Sequence, residues 1–514
     1  MLGWTKSKSD HPMAEERDAR EILAELPIND PFKTLQDISH WLEITRSADG
    51  LKPQRTYEII DQLDAASKLQ QRKLAQEYVN SGHRLQKFQE QRIWSTMVET
   101  LRQLGAAYEY CLAQTLPGVA GSGALRSQAP VITVRALRAL TQELKWAFLR
   151  YGPIDPTLWG RMGALYAQAE QAGFALKTCP VYPGPGGDST VQREYLKALM
   201  LCMSATDSLL PRKLEVAERV VSQYSDHFIL QKQLGQGCHY HVDLAVARPP
   251  ARLMARVSSM PTVRYFGPGP AAEMLDQVID SITQSGAIPS DLNLGGNYEP
   301  GMVTEVLRHL ARYWAPIPPA RSEERRKSFA RISIVHDFDN IIATLSGESQ
   351  DLAFDENVET WTVENESDNG YGAVIPPSKG DWLRVGTLLG IKLEDGNSWG
   401  VGIVRRLTND SSQHRYVGIQ TLAKGGARVK LFPVGQRIGG TDIGEDAVLL
   451  PSSAADSTGT GELSLLMRMG TFSPRQTFQM QAYDRNYLLV PKQLLEGGQD
   501  FDMAKFRVLH RGPS

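Results

Sequence analysis

Cysteine is scarce in this chain: four residues, Cys111, Cys179, Cys202 and Cys238, in 514. None forms a Cys-x-x-Cys pair, which argues against a disulfide framework and a structural zinc site. In the run Cys238-His239-Tyr240-His241, strand alternation would put the histidines on one face and the cysteine on the other. No second ligand cluster follows, so no metal is expected. Long apolar runs are missing too. No stretch approaches the roughly 18 apolar residues of a membrane span, and the first twenty residues lack the apolar core of a signal peptide. The expectation is a cytoplasmic protein without a membrane span. Nor is there an excess of one charge: 56 Lys and Arg face 58 Asp and Glu, for a net charge of −2. Such a balance gives no footprint for duplex nucleic acid, and any anion site must be local. His-Glu-x-x-His is absent, and no nucleophile has an evident partner, so no catalytic residue, no cofactor and no enzyme activity are expected.

What is present falls into regions of different period. From about Ala14 to Tyr224 the apolar spacing is helical. Ile93, Met97, Leu101, Leu104, Tyr108 and Cys111 advance by three or four and share one stripe. Asp155-Pro156-Thr157 opens another helix and Gly173 closes it. Within it, "LWGRMGALYAQAEQAGFA" resembles the first helix of a tetratricopeptide unit, with Gln192 to Tyr224 as its partner. No fixed period runs through the region, so an irregular helical array is expected. After Arg331 short strands dominate: "RISIVHDF", "NIIATL", "TWTVEN", "GTLLGIKL", "SWGVGIVRRL" and "RYVGIQTL". Turns separate the later ones at the spacing of a small antiparallel barrel. Further strands, including "ELSLLMRMG" and "NYLLVP", predict a second β unit. The reading is a multidomain α+β chain. Residues 1–315 form a mostly α-helical interaction region, 316–428 a β-barrel with an arginine-rich lead-in, and 429–514 a C-terminal β unit.

One stretch interrupts the strand pattern. Between Trp361-Thr362-Val363 and Tyr371-Gly372-Ala373 lies Asn365-Glu366-Ser367-Asp368-Asn369-Gly370, with short polar side chains and a glycine. Upstream is "ERRKSFARISI", Glu324 to Ile334, and downstream are "VGTLLGIKL", "VGIVRRL" and "YVGIQTL". In this order the pieces, spanning about residues 321–428, resemble a PilZ domain: an arginine-rich lead-in, a strand, an [Asp/Asn]-x-Ser-x-x-Gly turn and further strands. The resemblance implies a receptor for cyclic di-GMP. Two phosphodiesters and guanine edges rich in acceptors suit the forked donors of arginine. It also implies a site made of Arg325, Arg326, Arg331, Asn365, Ser367 and Gly370, with Asn365 and Ser367 offering polar groups to base edges. Gly370 would allow a tight turn, through positive φ, or a close approach to the ligand.

The lead-in departs from the family's Arg-x-x-x-Arg, because Lys327 stands where the first arginine is due. Lysine lacks the fork. Either the lead-in bulges and Arg326 takes that role, or the site is degenerate. Arg321 and Arg325 have the spacing but lie farther from the strand, and Arg405 and Arg406, as strand neighbours, should face opposite ways so that at most one joins the site. The implied function is a cytoplasmic cyclic-di-GMP effector coupled to an unidentified protein partner through the helical region. The alternative is an interaction scaffold whose barrel no longer binds.

Overall fold

The six apolar side chains from Ile93 to Cys111 lie on the helix Lys87–Ala113, and all six are buried. At about 1.5–3 kcal/mol for each large apolar side chain withdrawn from water, packing rather than propensity holds this helix in place. Its stripe meets the helix Ala129–Leu149, which is buried everywhere except at Arg138, Gln142 and Ala147. A helix enclosed on nearly all sides is a hub for its neighbours. The computed structural model describes residues 9–509 apart from 82–84, 117–120, 183–186, 254–259, 318–324, 347–357, 377–381, 397, 413, 435–443, 452–460, 483–484 and 499. The chain divides into two compact units, Met1–Ala320 and Arg321–Ser514.

The first unit carries the helical array. Thr157–Gln171 is a helix whose first turn is capped by the Asp155 carboxylate, which accepts from the Thr157 amide at 2.9 Å. It ends at Gly173, where φ is +77°. Tyr166 of this helix stacks on Tyr195 of the helix Val191–Cys202, with ring centroids 5.0 Å apart. A small sheet, ordered Ile229–Gln231, Val263–Gly267, Tyr240–Asp243 and Ala251–Arg252, follows. Among the described residues no helix is long and apolar enough to cross a membrane.

Charges are also buried in this unit. The Glu194 carboxylate accepts from Ser189 Oγ at 2.6 Å, Lys197 Nζ at 2.9 Å and Arg138 Nη2 at 3.1 Å. Burial alone would raise its pKa, but Lys197 and Arg138, with the hydrogen bonds, bring it down to about 2.

The second unit is built of antiparallel strands. Seven belong to its first part: β1 (Arg326–Lys327), β2 (Arg331–Val335), β3 (Glu359–Ser367), β4 (Gly370–Ile375), β5 (Leu388–Leu393), β6 (Gly400–Asn409) and β7 (Arg415–Ala423). Pairing runs β4-β7-β6-β5-β2-β3, and β3 also pairs with β4, so the ring closes into a six-stranded barrel. β1 and β2 lie in succession along the same edge of β3, as one interrupted strand. The second part is another closed barrel of β8 (Ala427–Pro433), β9 (Glu445–Leu450), β10 (Glu462–Arg468), β11 (Phe478–Ala482), β12 (Arg485–Gly497) and β13 (Phe501–Leu509).

"NIIATL", expected as a strand, is instead part of the helix Phe338–Ser346. Asp337 takes a left-handed conformation, φ +66°, that breaks strand β2, and its carbonyl accepts the first helical bond from the Ile341 amide. A short apolar run such as this has no decisive period of its own. Its buried residues, Phe338, Ile341 and Ile342, join Val335, Leu388 and Ile403 of the first barrel to Val448, Leu450, Leu466 and Phe501 of the second in one apolar cluster.

Asp500, between β12 and β13, has its carboxyl pushed up to about 6, chiefly by burial, with Asp337 adding to the rise. Its Oδ1 is buried without a hydrogen-bond partner. Because the folded pKa lies above the unfolded one, the group weakens the fold as pH rises from about 4 to about 6, and the loss persists above that. Asp500→Asn should therefore stabilise the second unit at pH 8 by about 1–3 kcal/mol and leave it unchanged near pH 4. Thermal unfolding at the two pH values checks this, and a gain that does not depend on pH would contradict it.

Candidate ligand-binding face

The hairpin of β3 and β4 turns through Asp368 and Asn369, pairing Ser367 with Gly370. Between Gly372 and Ala373 the register shifts: Gly372 faces Asn365 while Ala373 faces Val363, leaving Glu364 as an extra residue. This bulge changes the alternation of β3. Trp361 and Val363 are buried inside the barrel, and an unbroken strand would send Asn365 inward after them. The bulge turns it to the outer face.

A row of residues in register crosses that face: Lys327 on β1, Asn365 on β3, Gly372 on β4, Gly418 on β7 and Arg406 on β6. The next row on the same face is Arg331, Thr362, Val374, Tyr416 and Thr408. Between them the buried row of Val363, Ala373, Val417 and Leu407 points into the barrel. Arg331 and Asn365 thus share one face, about two residues or 7 Å apart along the strand direction.

The two glycines matter here. A Cβ on Gly372 would lie 2.5 Å from Asn365 Oδ1, and one on Gly418 would lie 3.3 Å from Arg406 Cβ. Without them the wall between Asn365 and Arg406 is a floor of bare main chain, suited to close approach by a flat ligand. Phe329, between β1 and β2, is 88% exposed and adds an aromatic surface beside the lead-in cations.

The six residues implied by the sequence fall into two groups. Arg325 donates through Nη1 to Asn365 Oδ1, so the arginine farther from the strand is the one that reaches the turn. Register puts Lys327 opposite Asn365 and Arg326 opposite Glu366, which turns Arg326 to the alternate side. There it lies 3.7 Å from Asp368, both side chains 77% exposed, a contact worth little. Arg321 lies outside the described residues. Ser367 Oγ reaches the Gly370 carbonyl at only 3.5 Å, a weak bond that leaves the hydroxyl available to a better acceptor. Gly370 does not have positive φ. Its side chain is excluded for another reason: a Cβ would run into the Ile419 carbonyl oxygen on β7.

Sequence reasoning allowed at most one of Arg405 and Arg406 on this face. The register shifts again between Val404 and Arg406 in β6. Val404 and Leu407 are both buried, so this bulge puts Arg405 and Arg406 together on the outer face, not on opposite faces. Nothing in "GIVRRL" announces a bulge. The glycines of the floor were visible as letters, but their alignment depends on pairing. Arg325, Lys327, Arg331, Arg405 and Arg406 therefore belong to this outer face, in a chain whose net charge is −2. Guanidinium forks around a flat floor can grip phosphates and bracket planar bases.

Residues 17–233 match the model of the cyclic-di-GMP receptor FimW N-terminal domain, and residues 340–427 match that of its middle PilZ domain. Together the matches cover more than half of the chain. The chain belongs to the PilZ family. The N-terminal match also places the helical array within the FimW receptor family, a part of the chain that the resemblance in the strands did not reach. Comparison with curated proteins gave no match. The family description names a binding protein and no reaction. Gly396-Asn397-Ser398-Trp399-Gly400, which has the spacing of a hydrolase nucleophile, joins strands β5 and β6 rather than a strand and a helix.

Proposed function

We propose that this chain is a cyclic-di-GMP receptor in which the outer face of the first barrel takes the nucleotide and the helical unit delivers the signal to a protein partner. The observation that carries the reading is the contact between Arg325 and Asn365, which sets a lead-in guanidinium on the polar side chain of the PilZ turn beside the glycine floor. In the bound state Arg325 and Arg331 grip phosphate or guanine edges, Asn365 and Ser367 take polar base atoms, and the main chain at Gly372 and Gly418 supports a base from below.

Equilibrium binding of cyclic di-GMP to the full-length protein, with GMP as control, tests this. A charged two-pronged contact is worth about 1.5–3 kcal/mol, so Arg325→Ala and Arg331→Ala should each weaken binding about tenfold or more. Arg326→Ala should change it less than about threefold, because its ion pair is exposed and on the other side. Equal small losses at all three arginines would mean diffuse attraction to an anion. No affinity at micromolar ligand would leave the scaffold reading in front. Partner capture by the full-length protein that is the same with and without nucleotide would remove the coupling part of the proposal.

A further inference from the structure

We propose that Arg405 is a further arginine of the nucleotide site, held away from the ligand by Glu496 of the second barrel, so that Glu496 and the ligand phosphate compete for it. This rests on the receptor reading above. The Arg405 guanidinium is fully engaged in the unliganded protein: Nη1 and Nη2 both donate to the Glu496 carboxylate, the latter at 2.7 Å, and Nε donates to Gln420 Oε1 at 2.7 Å. Gln420 is in register with Gly370, and the adjacent Thr421 amide donates to the Asn369 carbonyl at 2.9 Å. Arg405 is thereby anchored one strand away, about 5 Å, from the turn that carries Asn365 and Ser367.

Local irregularities make the pair. Arg405 is the extra residue of the bulge in β6, and Glu496 adjoins a register shift between Leu494 and Glu496 in β12. Bulges re-aim side chains, and here they aim a cation of one barrel at an anion of the other. The pair is also accessible, with side-chain exposures of 37% and 27%. The pair is about one-third exposed, so a dissolved anion can reach it, and a guanidinium fork fits phosphate as well as carboxylate. Replacing one anion by the other keeps the fork satisfied while freeing Glu496, so nucleotide binding is felt in the second barrel and, by linkage, the second barrel sets nucleotide affinity.

The test is a double-mutant cycle in the full-length protein, with cyclic di-GMP as titrant and thermal unfolding used first to show that each variant is folded. Glu496→Gln keeps the shape and removes the competing charge, and should tighten binding about fivefold. Arg405→Ala should weaken it about tenfold. In the Arg405→Ala background, Glu496→Gln should have no further effect. Amide exchange across Leu494–Gly497 should rise when the wild-type protein binds nucleotide. Wild-type binding that Glu496→Gln leaves unchanged or weakens would reduce the pair to a structural tie between barrels. Wild-type affinity retained in Arg405→Ala would remove Arg405 from the site. A wild-type protein without affinity would instead overturn the receptor reading, and this inference with it.

Discussion

Gly370→Val should open the end of the β4–β7 ladder and lose nucleotide binding more completely than any single arginine substitution. The cause is not backbone strain, because Gly370 has an ordinary φ. A Cβ there would occupy the position of the Ile419 carbonyl oxygen, a main-chain atom that cannot rotate aside. To make room, β4 must leave β7 at the Gly370–Gln420 pair, the first of six from Gly370–Gln420 to Ile375–Arg415. Forcing extra atoms into a packed site costs about 1–3 kcal/mol. The displaced segment carries Asn369 and adjoins Ser367, so the proposed binding groups would move with it. The obstruction begins at Cβ, so Gly370→Ala should be damaging as well, lowering stability by about 2 kcal/mol. An alanine variant that melts and binds like wild type would show that the hairpin yields freely.

Glu194→Gln should be the most destabilising change in the helical unit. The carboxylate is buried, and the three donors around it include two cations, Arg138 and Lys197. Neutralising it leaves both cations without their shared counter-charge, and breaking a buried pair costs about 3–5 kcal/mol. The pH dependence follows from the depressed pKa of about 2. Because the folded value lies below the unfolded one, the stability contributed by the charge is present above about pH 4.5 and is lost as pH falls toward 2. The difference between wild type and Glu194→Gln, measured by denaturant unfolding, should be large at pH 7 and shrink at pH 3. A deficit under about 1 kcal/mol at pH 7 would mean that the cations reach solvent once released.

The legible parts of this molecule are those governed by a single strand or helix. The stripe from Ile93 to Cys111 fixes its helix because spacing alone decides which side is buried. Trp361 and Val363 mark an inward-facing strand for the same reason, and the ordered PilZ-like pieces fall largely within the stretch, residues 340–427, that matches the PilZ domain model. What could not be read depends on pairing. The bulge at Glu364 reverses the face of Asn365, and the bulge at Arg405 joins two arginines that alternation would separate. Both are defined by the partner strand, which a linear pattern does not contain. The same applies to Gly370, whose lack of a side chain answers to a carbonyl on a strand some fifty residues away in sequence. The helix Phe338–Ser346 was misread because the six residues of "NIIATL" suit either structure until Asp337 is seen to turn the chain.

The paired glycines of the floor, Gly372 and Gly418, have a thermodynamic side. Facing each other on adjacent strands, they remove the cross-strand side-chain contacts that normally strengthen a sheet, each worth about 0.2–1 kcal/mol. The strip of wall proposed to receive the ligand therefore lacks these cross-strand supports. In the proposed complex a nucleotide lying across it would supply the missing cover, and at a hundred times its dissociation constant would add about 2.7 kcal/mol to the folded state. On that proposal the second messenger would act as a detachable piece of the barrel's packing, and its concentration would set how firmly this wall holds together.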